Sequence, residues 1–281
     1  MGRLAMIEPA PRRVLVHSGF HKTGTSSLQG FLVQHRDPLA GYFYGFGRDK
    51  APELDLAATQ YCQRPFRWRL WAFQRVLRKT LSACPADRDI VISMESLSGL
   101  MPGHRVFGGA EARDYAKTAI PMGKAIVQEI RAIFGAQTEI IFLYTTREKS
   151  DWLRSVHGHL LRSIRFTDDL ETFRDRFETM PDLNAQADQI ALALPDVRVE
   201  RAALEDYTLA RTGPARAVLD LMGVPKTVRK SLAPTPRANV GQPGDLRDSF
   251  LRLNRDISNK AELRTRKDSL LAAHAKGLID V

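Results

Sequence analysis

The residues that most constrain this chain are 14–29, VLVHSGFHKTGTSSLQ, where an apolar run feeds straight into a short loop rich in Gly, Lys, Thr and Ser. Val14-Leu15-Val16 reads as a buried strand, Gly19 and Gly24 allow tight backbone turns, and Thr25-Ser26-Ser27-Leu28-Gln29 can open a helix. The free N–H groups of such a helix start face an anion readily, and Lys22 adds a mobile positive charge beside them. A Gly/Ser/Thr turn after a strand often binds nothing, but here Lys, Gly and three hydroxyls coincide at a strand-to-helix junction. The segment therefore predicts a phosphate-holding loop.

The rest of the chain alternates in the same sense. Strands are expected at 89–94 and 139–144, with a short one near 197–200. Helices are expected at 26–35, 64–81, 117–134, 169–177, 183–192 and 214–222, and two charged helices near 245–256 and 259–275. Residues 40–64 show no clear periodicity and read as an irregular connection with room for one helical turn; 102–113 and the Pro/Gly-rich 233–244 read as loops. This alternation indicates an α/β, three-layer P-loop-type fold with a mainly parallel central sheet flanked by helices, plus a helical C-terminal extension. Ligands are then expected at the carboxyl ends of strands. In 64–81, Phe66, Leu70, Phe73 and Leu77 recur at helical spacing, flanked by Arg67, Arg75, Arg78 and Lys79. That pattern reads as a helix packed on the sheet with a solvated basic face, and as a membrane-surface element it lacks a second anchoring signal.

The length of 281 residues suits a single domain spanning 1–281, with its core at about 12–244 and C-terminal helices at about 245–281. No run approaches the roughly 18 apolar residues of a membrane span. The start MGRLAMIEPAPRR lacks the apolar centre of a secretory signal, and Met6 breaks the myristoylation pattern. A cytoplasmic location without stable membrane insertion is the expectation. Cys62 and Cys84 have neither metal-ligand spacing nor a disulfide framework. The net charge of +10 points to an anionic partner, yet no zinc-finger, RNP-type or helix-turn-helix signature marks that partner as nucleic acid.

In a Walker A loop the Lys follows the last Gly and precedes a Ser or Thr on magnesium, whereas here the order is Lys22-Thr23-Gly24-Thr25. The segment resembles the 5′-phosphosulfate loop of sulfotransferases that use 3′-phosphoadenosine 5′-phosphosulfate (PAPS), particularly bacterial members with an HKTGT-like sequence. Strand 139–144 runs into Thr145-Thr146-Arg147, with Ser155 eight residues after Arg147. That spacing resembles the family's Arg and Ser pair for the donor's 3′-phosphate, for which a guanidinium fork and a hydroxyl are suited donors. Glu95, after the second expected strand, resembles the acidic base of carbohydrate-type and many bacterial members. Arg237-Ala238-Asn239-Val240 resembles their short RxN-type segment, while the Gly-rich KGxxG-like segment of the animal cytosolic enzymes is reduced to Gly241-Gln242-Pro243-Gly244.

The resemblance implies PAPS as donor, the bisphosphate PAP as product and no metal. It implies Lys22, Thr23, Gly24, Thr25, Ser26, Ser27, Arg147, Ser155 and Arg237 as donor-binding residues, with Lys22 and Glu95 in catalysis. Glu95 takes the acceptor proton, and Lys22 neutralises charge on the phosphate oxygen that leaves the sulfur. The acceptor is a hydroxyl, or an amine, on a glycan, lipid-linked or small-metabolite partner. His17, His21, His104, His157 and His159 compete for the role of base, and none has the HExxH spacing of a zinc site. A P-loop kinase using ATP and magnesium, and a non-catalytic polyanion-binding module, are the alternative readings.

Overall fold

The computed structural model of the chain describes residues 12–85, 87–234 and 244–275. In chain order the elements are β1 (Arg13–His17), α1 (Thr25–Gln34), α2 (Arg36–Leu39), β2 (Tyr44–Gly47), α3 (Pro52–Gln63), α4 (Arg67–Ser82) and β3 (Ile90–Ser93). There follow α5 (Ala116–Phe134), β4 (Glu139–Thr146), α6 (Lys149–Ser163), α7 (Leu170–Arg176), α8 (Leu183–Ala193) and β5 (Arg198–Ala203). Last come α9 (Ala215–Leu221), α10 (Lys226–Ser231), α11 (Gly244–Asp256) and α12 (Lys260–Ala275). The five strands form one all-parallel sheet in the order β2-β3-β1-β4-β5. Parallel neighbours require crossover connections, so helices must cover both faces.

Alternation along the strands sorts the two faces. Val14, Val16, Ile90, Ile92, Ile140, Phe142 and Tyr144 enter a large core shared with α3 to α8. Leu15, Val91 and Leu143 point the other way, into a smaller core with α1, α2 and α9. The result is a three-layer α/β fold of P-loop type. Because β1 lies between β3 and β4, strand order reverses around it, and the loop after β1 sits at the middle of the carboxyl edge.

Residues 40–64 differ from the expectation: they hold the edge strand β2 and the twelve-residue helix α3. Two of the four residues of β2 are glycines, which carry no strand pattern, and its pairing with β3 in the register Tyr44 to Ile90 supplies what propensity lacks. In α3 the buried face is Leu54, Ala58, Tyr61 and Cys62, too mixed in size to show as an aliphatic stripe. Pro52 and the acidic Glu53 and Asp55 nevertheless mark its first turn. The expected C-terminal helices are integral to the core. Leu246 and Phe250 of α11 are buried in the larger cluster, Asn254 Nδ2 donates to Leu161 O (2.9 Å), and Lys267 Nζ of α12 donates to Ile164 O (2.7 Å). No helix among the described residues is long and apolar enough to cross a membrane.

Candidate functional site

The sheet ladder carries one residue past β1 on the β4 side and one residue past β3 on the other before the loop departs. Ser18 N–H donates to Leu143 O (3.1 Å), and Met94 N–H donates to His17 O (3.1 Å). Gly19 is required for space: a Cβ there would run into Thr145 Oγ1 and stand 2.5 Å from both His17 Nε2 and Thr25 Cγ2. Thr23 is fully buried. Its hydroxyl donates to Phe20 O (2.5 Å) and so accepts from Thr145 Oγ1 (2.6 Å), tying the loop to the end of β4. Lys22 (φ 67°) is the non-glycine residue with positive φ among those described, and Gly24 (φ 89°) follows in the left-handed region. Backbone held in this way is characteristic of binding loops.

The turn leaves donors open. Among the described residues, the backbone N–H groups of Thr23, Gly24, Thr25, Ser26 and Ser27 have no acceptor, and α1 has no side-chain cap. The exposed Ser26 and half-buried Ser27 add hydroxyls at the same helix start. Thr23 offers an anion its N–H alone, since its hydroxyl is spent within the loop. Cations gather above this nest. The Lys22 ammonium is pushed below its usual range by burial and then by the charges of Arg162 and Arg147, against the pull of Glu95. Arg147 and Arg162 have no ion-pair or hydrogen-bond partner among the described residues. Open N–H groups beside three neighbouring cations suit a phosphate or sulfonate group.

Glu95 begins a single 3₁₀ turn, Glu95–Ser98, directly after β3. The Thr25 hydroxyl donates to Glu95 Oε1, so the carboxylate is bonded to the first turn of α1. Burial pushes the Glu95 carboxyl above its usual range, with Asp55 adding to the effect and the Thr25 hydrogen bond and Lys22 opposing it. His21 Nε2 stands 4.0 Å from Glu95 Oε2. The His21 ring stacks on Tyr115, with centroids 5.9 Å apart, and Trp152 Nε1 of α6 donates to His21 O (2.9 Å). Burial, aided by His104, His159 and Lys22, lowers the His21 pKa to about 3, so the ring is neutral near pH 7. A neutral His21 that accepts from Tyr115 Oη at Nδ1 (3.3 Å) carries its proton on Nε2, the nitrogen facing Glu95.

Of the five candidate histidines, the fold groups His21, His104 and His159, with His21 and His159 beside Lys22, and removes the other two. The His159 pKa is lowered to about 4 by burial, then by Lys22, Arg162 and His104. His17 lies within the sheet with Nδ1 against Ser93 Oγ (2.7 Å), and burial lowers its pKa to about 3. His157 donates from Nε2 to Asp168 O (2.9 Å) and packs on Phe166 and Phe173, a structural position.

Helix α6 organises the far side. Glu148 caps it by accepting from Ser150 N and Asp151 N (2.9 Å each), which places Arg147 between the end of β4 and the helix start. Ser155, His159 and Arg162 fall at i, i+4 and i+7, on one face of α6, and Ser155 lies one turn beyond the Trp152 anchor. Arg162 is the residue that sequence reasoning missed. Its spacing of seven from Ser155 is a signal that a helical reading of 149–163 contains. Arg237, by contrast, lies outside the described residues. No protein-family model matches the chain, nor does any curated protein, so its function rests on the geometry of this site.

Proposed function

We propose that this protein is a cytoplasmic PAPS-dependent sulfotransferase acting on a hydroxyl, or an amine, of a carbohydrate, lipid-linked or small-metabolite acceptor. The observation that carries this reading is the join at Thr25: one helix start offers open N–H groups to an anion and bonds the carboxylate of Glu95 by its hydroxyl. A cradle for the transferring group and a base for the acceptor thus share one turn of helix.

In this reading the N–H groups from Thr23 to Ser27, including that of Gly24, and the hydroxyls of Ser26 and Ser27 hold the 5′-phosphosulfate. Arg147 and Ser155 hold the 3′-phosphate, with Arg237 as a further donor-binding residue. The acceptor oxygen forms a bond to sulfur as Glu95 takes its proton, and the bond from sulfur to the bridging phosphate oxygen breaks. Lys22 balances the charge left on that oxygen as PAP departs. General-base help of this kind is worth roughly 10²- to 10⁴-fold. Burial of Glu95 favours its protonated form and makes it a better base than an exposed carboxylate, whereas His21, with a pKa of about 3, is a poor one. Neutral histidines remain able to hydrogen-bond an acceptor. The kinase reading is less well supported, because Thr25, after the second glycine, is committed to Glu95.

The test is incubation with labelled PAPS and a panel of glycans, phenols, lipids and cell extracts. Label should move to an acceptor with the wild-type chain and not with Lys22→Ala. Transfer of the γ-phosphate of ATP in place of sulfuryl transfer would overturn the proposal.

A further inference from the structure

We propose that the outer face of α4 and the tip of the loop at 101–112 form a docking platform for an anionic lipid bilayer. The proposal does not depend on the reaction above. Helix α4 buries Phe73, Leu77 and Leu81, and its opposite face carries Trp68, Trp71 and Arg75, bordered by Arg67, Arg78 and Lys79, with no acidic residue along the helix. Trp68 is 56% and Trp71 59% exposed, and beside them Phe66 is 40% and Phe107 62% exposed. The other large apolar side chains exposed among the described residues, Val33, Leu56, Leu192 and Leu209, are all aliphatic, so the exposed Phe and Trp side chains concentrate at this one end. A cluster of this kind marks an interaction surface.

The loop brings Phe107 to the patch. Phe107 N–H donates to Gln63 O (2.8 Å), and its ring meets Phe66 edge-on with centroids 5.3 Å apart. Arg105 and Glu111 bridge antiparallel, Gly109 N–H donates to Val106 O (3.0 Å), and Gly108 and Gly109 have open space where a Cβ would lie. Phe107 therefore rides on the tip of a tight projecting turn. Guanidinium groups accompany the rings: Arg64 over Phe107 (5.6 Å), Arg67 over Trp71 (5.6 Å) and Arg69 over Trp68 (4.4 Å). Among the described residues, carboxylates pair with the helix only toward its other end, where Arg78 meets Glu129 (2.7 Å) and Lys79 meets Glu53 (3.7 Å).

This chemistry favours a bilayer over a sugar polymer. Two of the four rings are phenylalanines with no polar handle, and Gln60, an amide that could serve sugar hydroxyls, is bonded to Arg69 (3.1 Å). Tryptophan with arginine is the pairing of membrane interfaces, where rings enter the headgroup layer and guanidinium groups meet anionic lipids. The exposed aromatics supply the second anchoring signal that the basic pattern alone lacks. Phe107 is three residues from His104, a chain span of at most about 10 Å, so what holds the loop tip also holds the segment carrying His104.

The experiment uses the full chain with vesicles of phosphatidylcholine alone or mixed with phosphatidylglycerol, read by flotation and tryptophan emission. Of the three tryptophans Trp152 is fully buried, so emission changes on binding report Trp68 and Trp71. Binding to the anionic vesicles alone is expected, weakening with salt, with a blue shift and quenching by brominated acyl chains. The triple change Trp68→Ala, Trp71→Ala and Phe107→Ala should cut partition by at least about 10-fold, as loss of buried rings does. Arg67→Gln with Arg75→Gln should cut it roughly 25-fold, about fivefold per cation. These side chains are exposed, and melting curves will show that the variants fold. Absence of partition to anionic vesicles, or partition that the variants leave unchanged, would overturn the proposal. So would protection of the tryptophans only by a soluble sulfated polysaccharide, or a patch-dependent dimer in place of vesicle binding.

Discussion

Gly19→Ala isolates the close packing on which the loop after β1 depends. Gly19 does not occupy the left-handed region, so backbone strain is not at issue. The added methyl meets Thr145 Oγ1, His17 Nε2 and Thr25 Cγ2 at once, all on buried residues held by the sheet or the helix start. Overpacking of this kind costs about 1–3 kcal/mol. Displacing Thr145 also strains its bond to Thr23, worth about 1 kcal/mol, so a loss of roughly 2–4 kcal/mol is expected. At about 2.1 cal/mol/K per residue over 281 residues, the melting temperature should fall by roughly 3–7 °C. Gly30→Ala, eleven residues on, is the control. Gly30 lies inside α1 with nothing near its would-be Cβ, and alanine there should stabilise by about 0.5–1 kcal/mol through helix propensity. Calorimetric melting of the two variants compares the signs directly. If Gly19→Ala melts with the wild type, or if both shift the same way, the packing described around Gly19 is wrong.

Three further outcomes are expected. Glu95→Gln should lower kcat by roughly 10²- to 10⁴-fold while PAP binding persists; in the wild type, activity should fall with acid through a pKa above the ordinary 4.5, because burial raises that of Glu95. Normal turnover in the variant would show that the base lies elsewhere. Arg147→Ala should weaken PAP binding by roughly 10- to 150-fold, the loss of a charge-assisted hydrogen bond, and unchanged affinity in titration calorimetry would remove Arg147 from the donor site. His17 titrates near 3 in the folded chain and near 6.5 when unfolded, so in between only the unfolded state takes up the proton. Stability is therefore lost as pH falls from about 6.5 toward 3, by up to about 1.4 kcal/mol per unit from this group. Urea unfolding at stepped pH should show a shallower slope for His17→Gln, and an identical slope would contradict the burial of a neutral imidazole.

Much of the centre was legible in the chain because each signal there is local. The apolar run of β1, the glycines and hydroxyls after it, and the apolar EIIFLYTT of β4 ending at Arg147 are contiguous, and Glu95 follows its strand at once. What stayed hidden depends on contacts distant in sequence. Strand β2 is short and half glycine, and exists because β3 offers it a partner. The buried face of α3 mixes Leu, Ala, Tyr and Cys. His104 reaches His21 and His159 from a loop without periodicity, and Arg162 lies two turns beyond Ser155 on the same face of α6. His157 packs on Phe166 and Phe173, which no motif connects to it.

The donor itself is the most direct test of the account. Titration calorimetry of PAP into the full chain, in buffer containing a chelator, should show tight binding without magnesium, abolished or strongly weakened by Lys22→Ala. Binding of ATP that requires magnesium, with no binding of PAP, would contradict the account and place the loop among phosphoryl-transfer sites.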